Sequence, residues 1–207
     1  MRRALPAWQW LAWLALCLLA IIPGAARAQA PAAGPYTHPQ SQLVFPQAMG
    51  GMPRQMVRDY EPMRAGLGVG IKYGMDEPRV LADIYIFNQE RAVIPEGTGD
   101  VLVQAMFDAA IGDIRQMGEA GRYRNVSFLG SDIVPLGEAA GVRSALRARF
   151  SFSIDGQEVF SHVYGLAVHN HFVKLRFTYM RDQAEQAVPV LGAMLTDLGR
   201  VVGSNAQ

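Results

Sequence analysis

Cysteine is all but absent from this 207-residue chain: Cys17 is the only one, so no intrachain disulfide can form and the fold must rest on its core. Lysine is nearly missing too. Lys72 and Lys174 are the only two, and arginine supplies the remaining bases, a bias usual in GC-rich bacterial genomes. Neither charge is in excess, since 19 Lys and Arg stand against 18 Asp and Glu for a formal +1, which argues against nucleic acid as a partner. Signatures of chemistry are also lacking. There is no Gly-x-Ser-x-Gly elbow and no Gly-x-Gly-x-x-Gly opening a helix, so the sequence predicts no cofactor and no metal and names no catalytic residue.

What is present begins with one apolar run. Arg2 and Arg3 precede Trp8 to Ile22, and Pro23 and Gly24 lead to Ala26-Arg27-Ala28, the pattern of a secretory signal peptide cleaved after Ala28 or Ala30. The run is interrupted by Gln9 and is shorter than the roughly 20 residues a membrane span needs. Cys17 sits inside it after Leu16, the wrong place for lipidation, so no stable membrane anchor is expected after cleavage and the periplasm is the expected location. Cleavage removes Arg2, Arg3 and Arg27 and no acid, which leaves a slightly acidic mature chain. The expected organisation is a signal peptide at 1–28, a proline-containing flexible linker at 29–40, a single domain at 41–203 and a tail at 204–207.

Within the domain, Gly66 to Tyr73 alternates, with Leu67, Val69, Ile71 and Tyr73 on one face and Gly66, Gly68, Gly70 and Lys72 on the other. That predicts a strand whose bare glycine face admits a closely packed element. Met75 to Pro78 supplies a turn and Val80 to Phe87 a second strand. Thr98 caps an expected helix to about Ala120, with Leu102, Met106, Ala110, Ile114 and Met117 inward. Val126 to Leu136, broken by Gly130 and Pro135, reads as an edge or bulged strand.

Val142 to Ile154 alternates most cleanly, and Asp155-Gly156 is a strong two-residue hairpin signal. With Ile154 opposite Gln157, Arg147 meets Tyr164, Arg149 meets His162 and Ala148 meets Val163. A three-residue loop around Asn170 then sets Tyr164 beside Arg176 and Val163 beside Phe177. The last helix runs from Asp182 to Gly203 with Val188, Leu191, Met194, Leu195, Leu198 and Val202 as its apolar stripe, kinking or restarting at Pro189. With a short strand near Leu43 to Phe45, the expected fold class is α+β, a largely antiparallel sheet layered with helices.

The glycine-rich run Gly66 to Ile71, the hairpin strand Ala82 to Phe87, the central helix, the strand pair Tyr164 to Tyr179 and the terminal helix together resemble the α/β/α sandwich of PsbP and Mog1 proteins, over about residues 40 to 203. The resemblance implies a non-catalytic adaptor or accessory role. It carries over no catalytic residue, because the fold has no common one.

Among residues able to do chemistry, His169-Asn170-His171 falls at a turn and lacks a third ligand nearby, so turn chemistry is expected in place of zinc. Ser161 and His162 are strand neighbours that point to opposite sides. One set stands out: Arg143, Arg147, Arg149, Lys174 and Arg176 are expected on one strand face with His162 and Tyr164 between them, arginine forks suited to carboxylate or phosphate. The bland alternative is that these side chains cover the sheet and pair with acids such as Asp83. Two functions follow: a periplasmic non-catalytic binding or accessory module for another envelope protein, or a small-anion binding protein or hydrolase using the Arg/Tyr/His face.

Overall fold

Alternating apolar and polar residues build most of this fold, and their period decides which side of the sheet each side chain serves. The computed structural model describes residues 34–137 and 143–203. The expected signal peptide, the start of the linker, Val142 and the tail lie outside the described residues. Two short strands, β1 (Tyr36–Thr37) and β2 (Val44–Phe45), pair with each other. Eight more, β3 (Ala48–Met49), β4 (Met52–Asp59), β5 (Val69–Met75), β6 (Val80–Phe87), β7 (Arg124–Pro135), β8 (Ser144–Ile154), β9 (Gln157–Val168) and β10 (His171–Met180), form one antiparallel sheet in the order β3-β4-β5-β6-β10-β9-β8-β7. Helix α1 (Val101–Glu119) lies on one side and α2 (Ala184–Gly203) on the other. The α+β class, with a helical layer on each face of an antiparallel sheet, is as expected.

Several boundaries differ from the sequence reading for identifiable reasons. Asp100, not Thr98, caps α1, its Oδ1 accepting from the Leu102 N–H at 2.8 Å. In α2 a turn of 3-10 helix at Arg181–Gln183 precedes the α-helix, Pro189 lies inside it, and Val188 is exposed while Ala187 and Val201 are buried. Gly66 and Gly68 are not in a strand at all. Both have left-handed φ, +78° and +68°, and a Cβ on Gly68 would lie 1.8 Å from the Ile86 carbonyl oxygen. Only Gly70 keeps the expected bare strand face, and the ring of Tyr60 lies against it. Strand β4 was not expected, because Pro53 and the mixed Met/Arg sequence hide its alternation.

The end of the expected linker is built into the fold. Tyr36 and Thr37 pair with β2, His38 is buried, and Arg54 donates to the carbonyls of Gly34 and Phe45. Burial pushes the His38 imidazole down to about 4, helped by His171, whose ring meets it edge-on at 5.1 Å.

The hairpin at Asp155-Gly156 has the expected register, with Ile154 opposite Gln157, Arg147 opposite Tyr164, Arg149 opposite His162 and Ala148 opposite Val163. The next turn does not. His171 pairs with Val168, so the loop is the two residues His169 and Asn170, both at left-handed φ (48° and 60°). Arg176 therefore lies opposite Val163, and Tyr164 opposite Leu175. A one-residue slip moves every side chain of β10 to the other face.

Two apolar cores result. Residues of α2 pack with β2 to β6, β10 and the upper part of β9, including Ile71, Ile84, Leu175, Met194 and Leu198. Residues of α1 pack with β8 and β9, including Phe107, Ile114, Phe150, Phe152 and Val163. Each helix thus shields one part of its face. Left half-buried are Lys72, Asp83, Tyr85, Lys174 and Arg176 on the α1 side, and Arg147, Arg149, Phe160 and His162 on the α2 side.

Candidate functional site

The seven residues singled out by sequence do not share one face. Arg147, Arg149, His162 and Tyr164 gather on the α2 side, held by the register of β8 and β9. Arg143 sits just before β8 and is drawn away to Glu96, whose carboxylate accepts from its Nη1 at 2.7 Å and also from the His169 N–H. Lys174 and Arg176 are on the opposite side of the sheet, which corrects the expected single basic face: the two-residue turn at His169-Asn170 replaces the three-residue loop that would have kept them together.

On the α2 side, Arg147 reaches across to β7 and grips Asp132 with both Nε (2.8 Å) and Nη2, a two-pronged contact that holds the Asp132 carboxyl below the usual range. Arg149, two residues on, has no such partner. Its Nε is buried without a hydrogen-bond acceptor, and no carboxylate pairs with it among the described residues. Directly across the strand pair from it, His162 lies between the hydroxyls of Tyr164 (3.4 Å from Nδ1) and Tyr179 (3.3 Å from Nε2). Burial, then the charges of Arg147 and Arg149, push His162 down to about 4, so it is neutral near pH 7. Burial also pushes the Tyr164 phenol up to about 12 and raises Tyr179. The group therefore offers hydroxyls and a neutral imidazole beside one guanidinium with spare donors. It is suited to holding an anion, and at neutral pH neither phenol is an ionised nucleophile.

Ser161 cannot complete a hydrolytic set with His162. It faces the α1 side, where its Oγ lies 3.0 Å from Thr178 Oγ1 and accepts from Arg176 Nε at 3.0 Å. Arg176 also donates to the Tyr123 hydroxyl, with its guanidinium 5.5 and 5.7 Å from the Tyr123 and Phe152 rings. Lys174 lies 4.9 Å from the Tyr85 ring centroid, and Lys72 is 3.8 Å from Asp83. Burial raises the carboxyls of Asp83 and Asp113 against the pull of these cations. The bland expectation, cations covering the sheet and pairing with Asp83, thus describes the α1 side.

Side chains around the His169-Asn170 turn are engaged in the fold: His169 Nδ1 contacts the Ser41 carbonyl, Asn170 bonds the Ile94 N–H and the Ala92 carbonyl, and His171 contacts Gln40 and the His169 carbonyl. Among the described residues no three metal-ligating side chains converge. An open concavity of about 310 Å³ between the end of α1 and the start of β7 is lined by Arg115, Gly118, Glu119, Tyr123, Asn125 and Val126, none of them in the basic set.

Sequence reasoning missed Tyr179, Asp132 and Gly130. Tyr179 is visible once β10 is read with a two-residue turn, since it then shares a face with His162. Asp132 and Gly130 follow from the pairing of β7 with β8, which two bulges obscure.

No protein-family model matches the chain, and no curated protein matches it. Solved structures with a similar fold include cyanobacterial PsbP (CyanoP) from Synechocystis, 10% identical over 87% of this chain and 92% of that one with a TM-score of 0.42. The Ran-binding protein Mog1p of Saccharomyces cerevisiae is 12% identical over 78% of this chain and 86% of its own, with a TM-score of 0.36. A protein of unknown function from Pseudomonas aeruginosa is 10% identical over 78% and 92%, with a TM-score of 0.37. The layering resembles that of PsbP and Mog1, and no residue role passes from these proteins to this chain.

Proposed function

We propose that this protein is an exported, non-catalytic binding module that recognises an anionic group on a partner through the α2-side cluster of Arg147, Arg149, His162, Tyr164 and Tyr179. The observation that carries the reading is Arg149, a half-buried guanidinium whose Nε has no acceptor and which, unlike Arg147, forms no ion pair with a carboxylate among the described residues. The Arg149 Nη groups also make no hydrogen bond among the described residues, so they are left to donate to an incoming carboxylate or phosphate. Arg147 is already occupied by Asp132 and shapes the edge of the site.

Export rests on the charged, apolar and small-residue order of residues 1–28. Intact-mass measurement on the periplasmic fraction should find a soluble chain beginning near Gln29, and a membrane-bound chain retaining Met1 would refute export. For recognition, the mature chain is expected to be retained on immobilised poly-glutamate and released by salt. Arg149→Gln should elute at clearly lower salt with unchanged thermal unfolding. Equal elution of the folded variant and the parent would refute the anion site.

A further inference from the structure

Strand β7 borders the Arg149 site, and nothing pairs with its outer edge among the described residues. It is 12 residues long and mostly exposed. A long open edge is a template for another strand unless something blunts it. Two bulges break its register, between Arg124 and Ser127 and between Phe128 and Gly130, but from Gly130 to Pro135 it runs in continuous register with β8.

The second bulge has a specific effect. It places Gly130, with φ +118°, directly opposite Arg149. A Cβ built there would lie 3.5 Å from Arg149 Nη2. The outermost strand therefore has no side chain where the partnerless guanidinium reaches it, and Arg149 is open sideways, toward the sheet edge. On the other side of the same strand Phe128 and Ile133 flank the small Ser131, and the Arg115 guanidinium lies 5.6 Å from the Phe128 ring centroid. Phe128 packs on Phe150 on the α1 side, Ile133 lies opposite Leu146 there, and the two are 44% and 60% exposed.

We infer that the Gly130–Val134 edge of β7 accepts an extended segment of a partner protein as an added strand, with acidic side chains on the α2 side over Arg149 and apolar ones on the α1 side against Phe128 and Ile133. This rests on the reading of Arg149 as an anion site and names its partner as an alternating acidic and apolar strand. Main-chain hydrogen bonds give such a complex its affinity, and alternate side chains give it specificity. A second copy of this chain is a poorer occupant, because the only acid its own β7 brings is Asp132, whose two oxygens are already held by Arg147.

The test uses the mature chain and a labelled, end-capped peptide Thr-Val-Glu-Val-Glu-Val-Thr, with a control in which lysine replaces each glutamate. Binding of the acidic peptide should slow amide exchange at residues 130–134. Arg149→Gln should weaken it about tenfold, the scale of one charge-assisted hydrogen bond, and the lysine peptide should bind at least as weakly. Ile133→Ser, which adds no charge, should weaken the acidic peptide as well while leaving retention on poly-glutamate intact. Retention that depends on Arg149, with exchange of 130–134 unchanged by the peptide, would overturn the added strand and leave the anion site standing. Equal protection by the lysine peptide would overturn the acidic specificity. Protection that rises with protein concentration and not with peptide would show a second copy on the edge, and so overturn the inference as well.

Discussion

On the α1 side the uncovered strands β5, β6 and β10 carry Lys72, Lys174 and Arg176 together with Asp83, while on the α2 side the uncovered stretches of β8 and β9 carry Arg147, Arg149 and His162. Both regions are half-buried and cationic at their centres. They differ in what the cations touch. On the α1 side Arg176 lies against two rings and two hydroxyls and Lys72 faces Asp83, so the charges are absorbed into the packing of the domain. On the α2 side the Arg147–Asp132 pair closes on itself and leaves Arg149 over. Charge alone does not mark a binding face, and the discriminating feature is whether a guanidinium's donors are already used.

The most severe way to break the α1 region is through the loop that sets Tyr60 over Gly70. The Tyr60 N–H donates to the Gly68 carbonyl, and the Glu61 carboxylate accepts from the N–H groups of Gly66 and Gly68. Gly68→Val meets both a left-handed φ and a backbone atom 1.8 Å from its new Cβ. It should cost about 3 kcal/mol or more, read as a fall in the denaturation midpoint. A stability within error of the parent would show that the loop is not tied to β6 as described. The closely packed element that the glycine spacing predicts is, at Gly68, the backbone of β6.

A matched pair of substitutions sharpens the contrast between the two regions. Arg176→Gln gives up two ring contacts and two hydrogen bonds and leaves Asp83 beside one cation fewer. It should destabilise the domain by about 2 kcal/mol. Arg149→Gln removes a guanidinium that forms no ion pair among the described residues and should shift stability by no more than about 0.5 kcal/mol. Chemical denaturation of both variants reads the difference. Equal losses would mean that Arg149 is as structural as Arg176, and would remove the basis for calling its site available.

The layered fold was legible because alternation and strong turn chemistry are local. Asp155-Gly156 announces its own loop length, and every pair expected across β8 and β9 is found. His169-Asn170 makes the same kind of turn with residues that reach left-handed φ less readily than glycine, so its sequence points to a loop one residue longer than the two-residue turn that forms. That single residue sent Lys174 and Arg176 to the wrong face and hid Tyr179 from the site. Gly66 and Gly68 carried the opposite trap: their spacing mimics strand alternation, while their φ values serve a loop. The partnerless state of Arg149 was beyond the sequence, because it depends on Asp132 choosing Arg147 across a bulged strand pair.

Acid separates the two regions by sign. His162 is held at about 4 against an ordinary 6.5, so the folded state favours the neutral ring. Its contribution is intact above about pH 6.5 and is lost as the pH falls from there toward 4. Asp83 and Asp113 are shifted the other way, above the ordinary 3.8. The folded state therefore binds their protons more tightly, and their contribution is present at low pH and lost as the pH rises through their raised values. His162→Asn should flatten the loss of stability between pH 6.5 and 4, recovering on the order of 1 kcal/mol at the acid end once its partial exposure is allowed for. His38, also held at about 4, keeps a residual slope of the same sign in that variant. Asp113→Asn should instead produce a small rise in Tm at neutral pH, by removing a carboxylate whose ionised form is disfavoured by burial. Thermal unfolding of the three proteins across pH 4 to 7 reads both effects. If His162→Asn left the acid slope unchanged, the imidazole would not be the neutral spacer between Tyr164 and Tyr179, and the α2 region would carry a third cation beside Arg147 and Arg149.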